Sequence, residues 1–222
     1  PMRSLRGSFR EWLLPQVFDE SVRAINRTGD GTPWLTDHQL EDLRSQLLRQ
    51  PNRTLLEANE AVQALLFKAQ VDGNEVTGER DPVVRLIDFH TPANNRFHAI
   101  NQFRIDTPGC ERAFIMPDIV LFVNGIALAV VECKKGSETC ANPMQDAFVQ
   151  LQRYMRRRPA TALAGLQEGE PRLFHSNLLL IRSSGTQADY GTITSEQEHF
   201  YAWKTLHPQG DAALVGMNAQ QQ

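Results

Sequence analysis

Two carboxylates and a lysine stand inside an apolar stretch of this sequence: Pro117-Asp118 and, fourteen residues on, Glu132-Cys133-Lys134. Charges there are costly to remove from water unless they are paired, neutralised or bound to a metal. The period-two alternation of a strand sends Glu132 and Lys134 to one face and Cys133 to the other. Two carboxylates and a backbone carbonyl, that of Cys133, make a hard-oxygen ligand set suited to Mg2+ or Mn2+. An ion held there binds a phosphate oxygen and lowers the pKa of a bound water. Lys134 would orient or help deprotonate that water and stabilise charge on the phosphorane. The pattern supplies no covalent nucleophile, so the chemistry is direct hydrolysis by water. A structural ion pair at a strand end is the bland alternative.

Whether Asp118 joins Glu132 depends on a turn. Asn124-Gly125 separates the apolar runs 115–123 and 126–133, and Asn-Gly between such runs is a strong hairpin signal. A two-residue loop pairs Val123 with Ile126 and leaves Asp118 opposite Val131, facing away from Glu132. A three-residue loop over 123–125, with Gly125 left-handed as a bulge, pairs Phe122 with Ile126. Asp118 then lies opposite Val130 and diagonal to Glu132, about 7–8 Å away at the backbone on the same face. The site requires the second register or an equivalent bulge.

The rest of the chain supplies supports. Residues 8–67 read as helical: Phe9, Trp12, Leu13, Val17 and Phe18, interrupted by Pro15; then Leu40, Leu43, Leu47 and Leu48; then Leu55, Ala58, Val62, Leu65 and Leu66. Thr36-Asp37 marks an N-cap and Pro51 the end of the second stripe. Residues 83–89 and 96–105 read as strands joined by a turn over 91–95. After Lys135 the composition turns polar, then helical through Met144, Phe148, Leu151, Tyr154 and Met155, and 178–181 reads as a short buried strand. Asp88 and Asp106 are turn formers. The fold class is α/β: a mixed sheet around the hairpin, flanked by helices, with an N-terminal helical segment. The expected division is 1–72 helical segment, 73–206 core, and 207–222 a tail or the start of a linker.

Composition narrows the function. The formal charge of −3 over 222 residues gives no global argument for nucleic acid, so DNA affinity needs a local basic patch. No apolar run approaches the roughly 20 residues that span a bilayer, and no signal peptide is visible. Cys110, Cys133 and Cys140 are an odd set without paired CxxC spacing, which argues against a disulfide framework or zinc site and fits a reducing cytoplasm. The six histidines are scattered, with no pair at i, i+4 ligand spacing.

The core pattern resembles the PD-(D/E)xK nuclease superfamily. With its flanks it is similar to the N-terminal nuclease region of the restriction (R) subunit of type I restriction-modification enzymes. The residues that carry this are Pro117-Asp118 through Asn124-Gly125 to Glu132-Cys133-Lys134-Lys135, with 84–89 and Asn101-Gln102-Phe103 before them. Ala147-Phe148, Gln150-x-x-x-Tyr154, Asp189-Tyr190-Gly191, Phe200 and Trp203 follow. The likeness runs from about Ser8 to Lys204. It implies a restriction-endonuclease-like fold and Asp118, Glu132 and Lys134 as catalytic residues. It also implies Mg2+ or Mn2+ held by Asp118, Glu132 and the Cys133 carbonyl, and Gln150 and Tyr154 as active-site support or DNA contacts. Gln150 and Tyr154 lie one helical turn apart. Arg153, Arg156, Arg157 and Arg158 around Tyr154 suit phosphate contact, a solvated face being the alternative.

Implied partners are double-stranded DNA and the methylation and specificity subunits, with no membrane; nothing here reads as a base-contacting helix. ATP enters only through a motor domain, and the chain carries no G-x-x-x-x-G-K-[ST] loop, so it is expected to be part of a longer subunit. Cys133 departs from the usual large aliphatic residue, and Ser183-Ser184-Gly185 from the usual Ser-Asp-Gly. Glu11 and Glu60 are candidates for an upstream acidic residue. The rival functions are a non-catalytic DNA-binding or assembly module on the same fold, and a recombination or repair nuclease.

Overall fold

The computed structural model describes residues 5–110, 112–137, 141–156, 168–185 and 187–204. The tail 207–222, Arg157, Arg158 and Cys140 lie outside them. Four α-helices and a six-stranded mixed sheet make up the α/β architecture expected from the sequence and consistent with a restriction-endonuclease-like fold.

Helix α1 (Pro15–Ile25) begins at Pro15 itself. Proline at the first helical position lacks only an N–H that would be unsatisfied anyway. Pro15 therefore opens the helix, where an interruption was expected, and residues 8–14 lead into it without helical structure. Helices α2 (Asp37–Leu48) and α3 (Leu55–Lys68) start from full capping boxes, Thr36 with Gln39 and Thr54 with Glu57. Strand β1 (Ala69–Gln70) pairs antiparallel with β2 (Val83–Val84).

Three expected strands are shorter than the apolar runs suggest. The first stops at Val84, because Asp88 turns the chain: its Oδ1 accepts from the His90 and Thr91 amides at 3.1 and 2.9 Å. The second divides at Gln102, whose φ is +48°, into β3 (Phe97–Asn101) and β4 (Ile105–Asp106). The third divides into β5 (Phe114–Ile115) and β6 (Ile119–Val123), with Met116-Pro117-Asp118 between. At this crossing the Gln102 and Phe103 amides donate to the Asp118 and Pro117 carbonyls, at 2.7 and 3.0 Å.

Strands β7 (Ile126–Cys133), β8 (Leu179–Ser183), β9 (Ala188–Gly191) and β10 (Tyr201–Ala202) complete the main sheet, in the order β10-β9-β8-β7-β6-β3. Only the β7–β8 pair is parallel. Helix α4 (Pro143–Tyr154) lies between these two strands in the chain and packs on both. One apolar cluster joins α4 to the sheet through Val120, Phe122, Val130, Leu180, Phe148 and Leu151. A second joins α1–α3 to the turn end of the hairpin through Phe18, Val22, Leu43, Val62, Leu86 and Ile126. Each such fully buried side chain contributes about 1.5–3 kcal/mol. No helix among the described residues is long and apolar enough to cross a membrane.

The hairpin register differs from both simple alternatives. The turn is the two-residue one, with Val123 opposite Ile126 and φ of +50° and +81° at Asn124 and Gly125. A bulge follows: Phe122 faces Ala127, but Leu121 faces Ala129, so Leu128 is the extra residue. The pairing Ile119–Val131 then brings Asp118 level with Glu132. The expected three-residue loop is thus replaced by a tight turn and a bulge within β7.

The turn is buried. Asn124 is fully enclosed; its Oδ1 accepts from the Arg96 amide at 2.8 Å, and its Nδ2 donates to the Leu86 carbonyl at 2.9 Å. The Gly125 carbonyl accepts from the Leu14 amide at 2.9 Å, and a Cβ on Gly125 would stand 2.6 Å from the Leu14 carbonyl oxygen. Gly125→Ala is expected to lower stability by at least about 2 kcal/mol, from the left-handed backbone and this clash together. Urea unfolding checks this, and a midpoint equal to wild type contradicts it.

Candidate active site

Asp118 sits on the bend that ends the β6 ladder. Its Oδ2 accepts from the Cys133 amide at 2.7 Å. A side chain therefore takes the place of a backbone partner at the open end of the ladder, and this tethers the carboxylate. Glu132, the next residue back along β7, is buried to 1 % exposure. Lys134 donates from Nζ to Glu132 Oε1 at 2.6 Å and is itself partly exposed. The Lys134 amide donates to the Ser183 carbonyl at 2.8 Å, so β8 fixes the strand end that carries the lysine. Cys133 is exposed, in line with the alternation expected for Glu-x-Lys.

Glu132 Oε2 is buried and no hydrogen bond of good geometry reaches it; the Tyr154 hydroxyl stands near enough to pull the carboxyl down but donates to the Met116 carbonyl. Such an oxygen costs about 1–3 kcal/mol or more unless something binds it. Burial pushes the Glu132 carboxyl above its ordinary range; Lys134 pulls the other way, and the Asp118 charge adds to the rise. A cation beside Oε2 would relieve both the missing bond and the crowding of two carboxylates. The donor set fits a hard divalent ion: Asp118, Glu132 and a main-chain carbonyl. Among the described residues no group of three or more His, Cys, Asp or Glu side chains could hold an ion, which leaves the two-carboxylate set as the candidate.

Helix α4 brings up the support. Gln150 Nε2 donates to the Tyr154 hydroxyl oxygen at 2.8 Å, and that hydroxyl donates to the Met116 carbonyl at 3.1 Å. Gln150 and Tyr154 thus meet the segment that carries Asp118. Burial, with Glu132 next in weight, pushes the Tyr154 phenol well up, so it stays protonated as a donor.

The arginines are engaged elsewhere. Arg153 donates twice to Glu168, at 2.8 and 3.0 Å, and Glu168 is buried. Arg156 is exposed and reaches the Gly169 carbonyl and Cys110 Sγ. Gly169 lies so close to the end of α4 that a Cβ there would stand 2.3 Å from the Arg153 carbonyl oxygen. Of the two candidate upstream acids, Glu11 accepts from the Gly7 and Ser8 amides and Glu60 is exposed on α3. Neither is among the main charges acting on Glu132. Sequence reasoning missed one charge on this side of the sheet: Arg182, buried and level with Glu132 on the next strand. Its only signal is an arginine inside an apolar strand.

The family model for the N terminus of the type I restriction enzyme R protein matches residues 2–199. The chain belongs to that R-protein N-terminal family. It is 23% identical over 218 residues to the putative type I restriction enzyme MjaIXP endonuclease subunit of Methanocaldococcus jannaschii, covering 97% of this chain and 19% of that protein. It is 28% identical over 212 residues to the type I restriction enzyme HindI endonuclease subunit of Haemophilus influenzae, covering 95% and 18%. The chain therefore spans less than a fifth of the length of these curated relatives. The R-protein family match covers the hairpin, α4 and β8–β9 together, so the candidate site lies wholly within it.

A raised carboxyl pKa has a definite consequence for this R-protein domain without metal. Glu132 holds its proton more tightly folded than unfolded, where a glutamate titrates near about 4.3. Its contribution to stability is full below the unfolded pKa and is lost as pH rises through the folded one. Glu132→Gln is therefore expected to melt higher than wild type at about pH 7.5 in chelator, with the gap closing toward about pH 4. A glutamine variant no more stable than wild type at the higher pH contradicts this.

Proposed function

We propose that this R-protein domain is a divalent-metal-dependent nuclease that hydrolyses phosphodiester bonds of double-stranded DNA. In this reading it serves the ATP-driven restriction subunit of a type I restriction-modification system. The observation that carries it is Glu132: a buried carboxylate with one oxygen held by Lys134, the other without a hydrogen bond of good geometry, and Asp118 level with it on the bend beside the neighbouring strand. The named relatives are endonuclease subunits, which supports the same activity at the level of the family.

In this reading Asp118, Glu132 and the Cys133 carbonyl hold Mg2+ or Mn2+. The ion supplies Lewis acidity toward a phosphodiester and makes water a stronger acid. Asp118 is kept in place by the Cys133 amide. Glu132 presents Oε2 and leaves Oε1 to Lys134. Lys134, anchored at one end and reaching solvent at the other, orients the attacking water with its remaining protons and stabilises negative charge developing on the phosphate. Tyr154 and Gln150 hold the Met116–Asp118 bend against the carboxylates. Arg156 stands exposed beside α4 for phosphate contact, and Arg153, paired with Glu168, holds the end of α4 beside it.

Residues 1–72 act as the helical support of a 73–206 nuclease core, with 207–222 leading toward the motor domain through which ATP acts. The methylation and specificity subunits supply sequence recognition, and the complex works in the cytoplasm.

The test is cleavage by the full-length subunit reconstituted with these partners. Lys134→Ala and Asp118→Ala are each expected to lower cleavage by at least about 100-fold while ATP hydrolysis continues. Undiminished cleavage by Lys134→Ala removes the lysine from the mechanism. A wild-type domain that takes up no Mn2+ is the non-catalytic module instead.

A further inference from the structure

Arg182 and Glu132 are direct partners across the parallel β7–β8 pair, so their backbones lie about 4.8 Å apart and their side chains share a face. Both are buried. The arginine head lies over the Phe200 ring at 4.6 Å, and Phe200 meets Phe148 of α4 edge-on, which is also the side from which Tyr154 approaches Glu132. Arg182 Nη1 is a buried donor without a partner, as Glu132 Oε2 is a buried acceptor without one. On its other flank Arg182 faces Asp189 of β9, again as a direct partner. It donates there from Nη2 and Nε at 2.9 and 3.2 Å, and Nη2 also reaches the Gln197 carbonyl at 3.4 Å. Gln187 steadies Asp189 by donating to its Oδ1 at 3.2 Å.

One buried guanidinium therefore stands between two carboxylates and is committed to the outer one. Arginine and carboxylate form strong two-pronged pairs, and a buried charge left without a partner is strongly unfavourable. Without Asp189, the carboxylate that the register sets on the other flank of Arg182 is Glu132, whose Oε2 a metal needs. We propose that Asp189 is a positioning residue of the metal site: it holds Arg182 away from Glu132 and so keeps Oε2 open for the ion. The inference rests on Glu132 being a metal ligand.

Mn2+ affinity of the whole 222-residue chain tests it, read from the electron paramagnetic resonance of free Mn2+. Asp189→Leu should weaken binding by at least about tenfold, the usual reach of an outer partner of a metal ligand. Adding Arg182→Met should restore wild-type affinity, because the arginine that blocks the site is gone. A crystal structure of Asp189→Leu should find Arg182 on Glu132. The proposal is overturned if Asp189→Leu binds as wild type does, or if the double variant stays weak. The double variant leaves no buried unpaired charge and carries the test should the single one not fold: affinity below wild type then overturns the proposal. Wild type that binds no Mn2+, or binds it undiminished after Asp118→Ala, removes the metal site itself and this inference with it. Tight wild-type binding lost in Asp118→Ala, with Asp189→Leu unaffected, removes the inference alone.

Discussion

The register of one hairpin decides whether this site exists. Asp118 and Glu132 belong to different strands, and a slip of one residue would send one of them to the opposite face. Two features set the register together. The tight Asn124-Gly125 turn pairs Val123 with Ile126, and the extra residue Leu128 then shifts every later pair by one. Neither feature suffices alone: without the bulge, the tight turn would leave Asp118 opposite Val131. The turn is in turn fixed from outside, because Asn124 is bonded to the strand-to-loop segment at Leu86 and Arg96, and Gly125 is capped by the entry to α1. The N-terminal helices thus act on the site through the far end of its hairpin.

The polar groups on the α4 side of the sheet form a row across four strands: Asp118, Glu132, Arg182 and Asp189. Its signs run negative, negative, positive, negative. The outer pair is closed, with Arg182 and Asp189 bonded to each other and enclosed by Phe200 and Gln197. The inner pair is less so, since Lys134 holds one oxygen of Glu132 while the Tyr154 hydroxyl stands near the carboxylate but donates to Met116. Apolar residues of similar size in place of a buried ion pair would often be no less stable, so packing alone does not account for this row. The row thus sets a bonded pair, Arg182 with Asp189, beside two carboxylates, Asp118 and Glu132, that repel each other.

Much of this was legible in the sequence because it is local. Glu-x-Lys on a strand fixes two side chains on one face, Asn-Gly between apolar runs fixes a hairpin, and Gln150 and Tyr154 one turn apart fix a helical face. The capping boxes at Thr36 and Thr54 mark their helices in the same way. What was not legible depends on non-local pairing. The bulge at Leu128 leaves no mark in a run of small and branched residues. The divisions at Gln102 and at Met116–Asp118 arise because two chain segments cross there and exchange backbone bonds. Strands β9 and β10 are short and end the sheet, and their sequences carry little alternation. Arg182 became meaningful only when the β7–β8 register put it level with Glu132.

Cys133 stands between Glu132 and Lys134 at the end of β7. Its side chain is exposed on the face away from Glu132 and Lys134, so a change of residue there alters little packing and leaves the charges untouched. Its contribution is the main chain: the amide that holds Asp118. Partial burial pushes the thiol up, and Asp118 and Glu132 push it further. The thiol therefore stays protonated and a poor nucleophile or soft ligand, although it sits between Glu132 and Lys134. The same Asp118 charge that raises the Glu132 carboxyl on one face raises the thiol on the other and keeps the sulfur inert.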